Sequence, residues 1–149
     1  MAGSITFMMI KPIAVRRGFI GEILSKVVEA GFRITALRMT KLTHEEGEVF
    51  YEIHKNKPFF KDLTDFISNG PIVVAILEKE NAVADFRKLM GATDPAEAEE
   101  GTLRKLYGTS KEANGLHGSD SDESALFESG FFFSFHERFT DEGHVIIHY

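Results

Sequence analysis

The residues best suited to chemistry lie in a short segment, Asn-Gly-Leu-His-Gly-Ser-Asp-Ser, at positions 114–121. Gly115 and Gly118 flank His117 and permit a ligand to approach the backbone closely. A neutral imidazole is a good nucleophile near pH 7, because its unperturbed pKa is about 6.5. A helix predicted to begin at Asp120 would favour anions nearby. The segment therefore predicts either a nucleophilic histidine facing an anionic substrate or an exposed loop histidine beside an ordinary helix cap.

Two further residues of this region could support His117. Glu128, later on the predicted helix, could orient a ring nitrogen of His117 or remain a surface carboxylate. Ser119 could in turn support Glu128, or it could simply solvate the turn. The sequence leaves both alternatives open.

Three cationic residues are candidates for binding an anionic ligand. Lys11 directly follows the first predicted strand, and strand ends are common ligand positions in α/β sheets. Arg87 lies on a predicted helix and Arg104 lies in the segment 102–106. Alone, Lys11 is more typical of a lysine snorkelling at a strand end, and Arg87 and Arg104 are more typical of solvated charges. Together the three would form a clamp for a polyphosphate. The spacing does not reveal whether they converge.

Composition restricts the classes of protein to which the chain can belong. Its 149 residues suit one domain over 1–149, and the lack of cysteine excludes disulfides, thiolate zinc sites and cysteine nucleophiles. A net charge of −6 argues against nonspecific nucleic-acid binding. No apolar run approaches the roughly 20 residues that a membrane span needs. We therefore expect a cytoplasmic protein without a membrane segment.

Hydrophobic periodicity distributes these residues over alternating strands and helices. Strands are predicted over 4–10, 32–42, 71–77 and 131–135. Helices are predicted over 19–30, from 43, from 58, from 81, and from 120 to about 128, with a long loop over 91–115. This order contains β-α-β followed by β-α-β, which is typical of a ferredoxin-like sandwich, although periodicity leaves a doubly wound sheet open.

Local signals refine the ends and faces of these helices. Thr43 and Glu46 have capping-box spacing, and Gly31 suits the position after a helix C-terminus. A second capping box is predicted over 120–123. The inward faces of the first two helical segments are predicted to include Val28, Val49 and Ile53.

Over nearly its whole length the sequence resembles the nucleoside diphosphate kinase family. The most specific match is the segment 114–121 with 123–125. Other matching segments, in the same order and at similar spacing, are 7–12, 15–18, 21–23, 57–60, 68–71, 91–96 and 101–104. The resemblance implies an α+β fold, a ferredoxin-like βαββαβ sandwich whose antiparallel four-stranded sheet carries packed helices and a long loop insertion.

The resemblance also implies a reaction. The terminal phosphate of a nucleoside triphosphate, typically ATP, passes to a nucleoside diphosphate in two half-reactions through phosphorylated His117, which maintains NTP and dNTP pools. Lys11 and Tyr51 would contact the transferring phosphate, and Glu128 with Ser119 would orient His117.

Nucleotide binding follows from the same resemblance. The positions that match nucleotide contacts are Phe59 for the base, Asn114 for the sugar, and Lys11, Arg87, Thr93 and Arg104 for the phosphates. Mg²⁺ would be held mainly by the nucleotide phosphates rather than by a protein cage. A homo-oligomer is implied, with a hexamer preferred over a tetramer.

The sequence departs from the family pattern at two places near these residues. Ile13 stands where an acidic residue is usual, and Lys111 stands where a small apolar residue is usual. These departures keep an alternative open, a catalytically weak nucleotide-binding scaffold or regulatory oligomer on the same fold. The tail histidines His136, His144 and His148 are interpreted as surface residues rather than metal ligands.

Overall fold

A four-stranded antiparallel sheet forms the centre of the protein. A computed structural model describes residues 3–111 and 113–146, so that His148 lies outside the described residues. The strands, in sequence order, are β1 (Ile5–Ile10), β2 (Arg33–Thr40), β3 (Ile72–Glu78) and β4 (Leu116–Gly118). Their spatial order is β2-β3-β1-β4, and every neighbouring pair is antiparallel. This arrangement confirms the ferredoxin-like sandwich and eliminates the doubly wound alternative.

Helices cover both faces of the sheet. Their bounds are α1 (Pro12–Arg16), α2 (Ile20–Glu29), α3 (His44–Phe50), α4 (Phe60–Ser68), α5 (Ala82–Met90), α6 (Leu103–Tyr107) and α7 (Asp122–Phe132). The first core joins α1, α2, α5 and α6 to one face, and the second joins α3, α4 and α7 to the other. All six residues of β1 are therefore buried. In the described ranges no helix is long and apolar enough to cross a bilayer.

Several local predictions are confirmed. Thr43 and Glu46 form a reciprocal capping box at the start of α3. Gly31 follows α2 with φ of +96°, a conformation that favours glycine. The predicted loop over 91–115 is present but contains the short helix α6.

The predicted fourth strand is wrong. Residues 131–135 do not form a strand, because α7 continues to Phe132. Its buried positions, Ala125, Glu128, Ser129 and Phe132, recur at three and four residues, which is helical spacing. The fourth strand is instead β4, which places His117 on a strand rather than in a loop. Three residues are too few for a hydrophobic pattern to indicate a strand.

Two helix starts also differ from prediction. Ser121, not Asp120, caps α7, and its hydroxyl accepts a hydrogen bond from the Ser124 amide at 3.0 Å. Helix α4 begins at Phe60, after Pro58. The inward assignments of Val28, Val49 and Ile53 are wrong, because all three are more than half exposed. Ile53 lies in a 3₁₀ turn, Glu52–His54, since α3 ends at Phe50.

Gly118 permits close packing of α5 against β4. A β-carbon at this position would meet Met90 Cε at 2.5 Å and the Phe86 ring at 2.8 Å. Both side chains are almost completely buried, so neither has open space to move into. The absence of a side chain at position 118 therefore lets the helix that carries Arg87 lie directly against the strand that carries His117.

We expect Gly118→Ala to lower the free energy of unfolding by about 1–3 kcal/mol, because overpacking forces the core to shift. Urea denaturation measures this change. Gly130→Ala is the matched control: a β-carbon there meets nothing within 4 Å on helix α7. Alanine there should be neutral or stabilising by up to about 1 kcal/mol. Equal effects of the two substitutions would contradict the packing argument.

Candidate active site

One cavity of about 350 Å³ gathers most of the residues singled out from the sequence. It lies among the α3–α4 hairpin, helix α5, the 91–115 loop and the ends of β1 and β4. Its lining includes Lys11, Tyr51, Phe59, Arg87, Thr93, Arg104, Asn114, His117 and Glu128. Ser119 is completely buried and lies behind this lining. The three cations, whose convergence the sequence left open, thus line the same cavity as His117.

Strand pairing brings Lys11 and His117 together. His117 on β4 lies opposite Met9 on β1, and the Lys11 amide donates to the Gly115 carbonyl at 2.9 Å. Gly115 presents that carbonyl with φ of +88°, which disfavours any other residue. Backbone hydrogen bonds alone therefore place both residues at one end of the sheet.

Polar groups lie next to both ring nitrogens of His117. The Tyr51 hydroxyl is 3.2 Å from Nδ1, and Glu128 Oε1 is 3.0 Å from Nε2. The Glu128 contact is out of line with the ring N–H, so Nε2 has proximity to the carboxylate without a well-directed hydrogen bond. A carboxylate on this side favours the tautomer with its proton on Nε2. Nδ1 then carries the lone pair.

Aromatic rings restrict the rotation of the His117 ring. The centroids of Phe50, Tyr51 and Phe7 lie 5.3, 5.6 and 6.1 Å from the imidazole centroid, each in an edge-on arrangement. These contacts enclose a ring whose side chain is only 15% exposed. The imidazole is thus held in one orientation by packing as well as by polar contacts.

Glu128 is itself positioned by the sheet. Its Oε1 accepts a hydrogen bond from the Ser119 hydroxyl at 2.7 Å. The same hydroxyl accepts from the Phe7 amide of β1 at 3.1 Å. The Glu128 carboxylate, which helix α7 carries, is therefore linked through Ser119 to β1, the strand that pairs with β4.

A buried cation and a half-buried cation lie in the same cavity as His117. Lys11 is 3% exposed, and burial, aided by the positive charge of Arg104, lowers the pKa of its ammonium to about 7. Burial and then Arg87 lower the pKa of Arg104 to about 10. Arg104 donates to the carbonyls of Gly91 and Leu116 at 3.1 and 3.2 Å. A bound anion would relieve this accumulation of charge.

Asn114 connects the cation region to the loops. Its Oδ1 accepts from Lys11 Nζ at 3.1 Å, and its Nδ2 donates to the carbonyls of Thr93 and Lys111 at 3.1 and 3.2 Å. At the cavity mouth Phe59 is 44% exposed and packs against the His54 ring with centroids 5.6 Å apart. The cavity thus has a cationic inner end and an aromatic outer end.

Tyr51 remains neutral in this environment. Burial and the negative charge of Glu128 raise the pKa of its hydroxyl, which therefore keeps its proton. A protonated hydroxyl 3.2 Å from Nδ1 can donate to that nitrogen, or to an anion bound beside it.

Some residues of the cavity were not found from the sequence. Asp120 and Ser124, joined by a 2.7 Å hydrogen bond, lie within the matching segments and could have been noticed there. Phe50 and His54 line the cavity only because the α3–α4 hairpin folds over it, and no local signal indicates that.

The two residues that depart from the family pattern, Ile13 and Lys111, and the tail histidines lie in different surroundings. Ile13 lies in α1, whose N-cap residue, Lys11, makes no side-chain cap. Lys111 lines the cavity. His136 and His144 are exposed and outside the cavity lining. Residues 3–111 and 113–146 contain no group of three or more metal-ligand side chains that could hold a metal ion.

Comparisons with known proteins agree on one family. The profile described as nucleoside diphosphate kinase matches residues 4–138. A nucleoside diphosphate kinase of Flavobacterium psychrophilum is 53% identical over 139 residues, which are 93% of this chain and 100% of that protein. One of Chlorobaculum parvum is 55% identical over 132 residues, or 89% and 94% of the two chains.

Solved structures give the same result. A crystal form of the Aquifex aeolicus nucleoside diphosphate kinase is 40% identical with a TM-score of 0.89, covering 91% of this chain and 98% of that one. A halophilic nucleoside diphosphate kinase from Halobacterium salinarum, in complex with CDP, is 34% identical with a TM-score of 0.88, covering 93% and 92%.

We expect Lys11→Met to stabilise the ligand-free protein at pH 7 more than at pH 10. The ammonium titrates near 7 when folded but near 10.4 when unfolded, so wild-type stability rises with pH between these values. The penalty is fully present below pH 7, where the folded protein must hold the buried charge. The stability difference between variant and wild type should shrink by up to about 1.4 kcal/mol for each pH unit above 7.

Urea denaturation at pH 7, 8, 9 and 10 tests this trend. Loss of the Lys11–Asn114 hydrogen bond opposes the gain at every pH, so the pH dependence is the informative quantity. Lys41→Met is the control, because Lys41 is exposed and outside the cavity lining. A stability difference for Lys11→Met that stayed constant with pH would contradict the lowered pKa.

Proposed function

The chain belongs to the nucleoside diphosphate kinase family, and we propose how its own residues carry out the family's reaction. It is a nucleoside diphosphate kinase, a phosphotransferase that moves the terminal phosphate of a nucleoside triphosphate to a nucleoside diphosphate. The observation that carries the proposal is the geometry of His117, whose ring nitrogens lie beside the Tyr51 hydroxyl and the Glu128 carboxylate in a cavity lined by cations.

In the first half-reaction His117 Nδ1 attacks the terminal phosphorus of the triphosphate. The Nδ1–phosphorus bond forms as the bond between phosphorus and the bridging oxygen breaks, and the nucleoside diphosphate leaves with the bonding electron pair. The Nε2 proton stays in place, so the ring becomes positively charged. Glu128, 3.0 Å from Nε2, stabilises this charge, and Ser119 holds the carboxylate in position.

The second half-reaction reverses these events with another nucleotide. A terminal oxygen of the acceptor diphosphate attacks the phosphorus of phosphohistidine, and Nδ1 recovers its lone pair as the bond to phosphorus breaks. One cavity therefore serves the donor and the acceptor in turn. The residues need only position the phosphates and stabilise their charge, because phosphoryl transfer requires little other covalent chemistry.

The cationic end of the cavity is the proposed phosphate site. Lys11 is buried and Arg104 is half-buried in the cavity that holds His117, and the Arg87 side chain has no hydrogen-bond or ion-pair partner among the described residues. Tyr51 would donate to the transferring phosphate from beside Nδ1. Thr93 lies on the loop that Asn114 holds, within reach of a nucleotide in the cavity.

The aromatic end is the proposed nucleoside site. Phe59 presents an exposed ring on which a base can stack, and Asn114, which accepts from Lys11 and lines the same cavity, would contact the sugar. Stacking tolerates every base, because each has a π-face. The CDP bound to the Halobacterium salinarum relative supports nucleotide binding on this fold.

The donor atoms of the cavity fit a magnesium ion that arrives with the nucleotide. Among the described residues that line the cavity two are carboxylates, and Glu128 already accepts from Ser119 and lies against His117. Asp120 alone cannot form an octahedral cage, so the nucleotide phosphates would supply most ligands. When bound, Mg²⁺ would neutralise part of the phosphate charge.

Trapping of the covalent intermediate tests the mechanism. Incubated with γ-labelled ATP and Mg²⁺ without an acceptor, the wild type should acquire an acid-labile, alkali-stable label that GDP removes as GTP. His117→Ala should acquire none. Glu128→Ala is the comparison variant, and it should still be labelled, only more slowly, since it retains Nδ1. Bound nucleotide without label on the wild type would instead favour the nucleotide-binding scaffold.

Self-association and cellular location are also parts of the proposal. Leu37 and Met39 are at least half exposed on β2, an edge strand, which supports burial of this surface in a homo-oligomer. The choice of a hexamer over a tetramer follows the family resemblance alone, as does a cytoplasmic location.

Sedimentation velocity measures the assembly directly. We expect a single species with a mass near six times 16.7 kDa. A species near four times that mass would replace the hexamer by a tetramer. A monomer at micromolar concentration would contradict self-association altogether.

A further inference from the structure

A tightly closed loop presents Lys111 at the cavity. The Thr109 amide donates to the Ala113 carbonyl at 2.9 Å, and the Ala113 amide donates back to the Ser110 hydroxyl at 3.1 Å. The Lys111 carbonyl accepts from Asn114 Nδ2 at 3.2 Å. Lys111 therefore extends from a turn whose backbone is fastened to a residue of the proposed nucleotide site.

The outer end of this loop is held by a second element. Arg17, just after α1, donates from Nη1 to the Thr109 hydroxyl at 2.9 Å. Because the loop is anchored on both sides, the Lys111 backbone occupies a defined position at the cavity wall.

The Lys111 ammonium is available to a ligand. Lys111 is exposed and lines the cavity, and over residues 3–111 and 113–146 its ammonium has neither a hydrogen bond nor a salt bridge. Lys11 and Arg104, by contrast, already bond to the protein. The Lys111 ammonium is thus a hydrogen-bond donor at the cavity that has no acceptor among the described residues.

Lys111 and the proposed base-stacking residue, Phe59, line the same cavity from different elements. The phosphate end of the cavity is marked by Lys11 and His117, and the base end by Phe59 on the α3–α4 hairpin. Lys111 belongs to a different wall, the α6–β4 loop. A base stacked on Phe59 would occupy the cavity that the Lys111 side chain also lines.

We propose that Lys111 selects the nucleobase, favouring guanine over adenine. This inference rests on the proposed function, because it assigns a role within the same nucleotide site. Guanine presents two adjacent acceptors, O6 and N7, to a cation, and lysine is a common partner of this pair. Adenine places an amino donor beside N7, which repels a lysine ammonium.

Phe59 and Lys111 then have complementary tasks. Stacking on Phe59 binds all bases with similar strength, whereas the ammonium distinguishes the chemical groups along the base edge. The proposed contact of Lys111 is with the base and not with the terminal phosphate, so the first half-reaction with a given triphosphate would keep its chemistry. Selection is expressed in how well competing nucleotides bind and react.

Single-turnover dephosphorylation measures the selection. Phosphorylated wild type, Lys111→Met and Lys111→Arg are each mixed with GDP, IDP or ADP in a quenched-flow instrument. IDP keeps O6 and N7 but lacks the 2-amino group, so its comparison with ADP isolates the group at position 6. Lys88→Met is the matched control, because Lys88 is an exposed lysine outside the cavity lining.

We expect wild-type kcat/KM for GDP and IDP to exceed that for ADP by about tenfold, the effect of one good base-edge contact. Lys111→Met should reduce the ratio to within about twofold, while Lys111→Arg and Lys88→Met retain it. A preference that persists in Lys111→Met overturns the proposal. A uniform loss for all three nucleotides also overturns it, because that result indicates general attraction of anions without base selection.

Calorimetric binding separates this proposal from the proposed function. If the wild type forms no phosphohistidine, the kinase mechanism fails, but the affinities of GDP, IDP and ADP for the unphosphorylated protein still report selection. A tenfold difference in affinity that Lys111→Met abolishes would support Lys111 even then. Equal affinities in the wild type would overturn it.

Discussion

The candidate site depends on one short piece of main-chain pairing, the antiparallel register of β4 with β1. This pairing sets His117 beside the end of the strand from which Lys11 emerges, and the bond from the Lys11 amide to Gly115 closes the arrangement. The position of Glu128 depends on the same strand, because the Ser119 hydroxyl donates to its carboxylate and accepts from the Phe7 amide of β1. A displacement of β1 would therefore move the proposed nucleophile, the carboxylate proposed to orient it and the lysine proposed to bind phosphate together.

Packing on both sides of the sheet keeps that strand in place. Phe7 faces the core formed with α3, α4 and α7, whereas Met8 faces the core formed with α1, α2, α5 and α6. The burial that fixes the site also places cations in surroundings that disfavour charge, as the lowered pKa values of Lys11 and Arg104 indicate. Rigidity and affinity for anions thus have a common origin in burial.

Periodicity was sufficient for the strands β1, β2 and β3, because each is long and strongly apolar or alternating. It failed for β4, where three residues owe their conformation to a neighbouring strand, and for the aromatic run that ends α7. The residues of the cavity lining were found mainly through family resemblance, which identifies the residues of a site but does not give the distances between them. Phe50 and His54 depend on the fold of a hairpin, and no local pattern in the sequence reports such a tertiary contact.

The lowered pKa of Lys11 gives the cavity a further property. An ammonium with a pKa near 7 is shared between its charged and neutral forms at neutral pH, and a bound phosphate would hold it in the charged form. Occupation of the cavity would then withdraw a fraction of a proton from the surrounding buffer, and departure of the nucleotide would return it. Hydrogen ions thereby become a third participant in the binding equilibrium, beside nucleotide and magnesium.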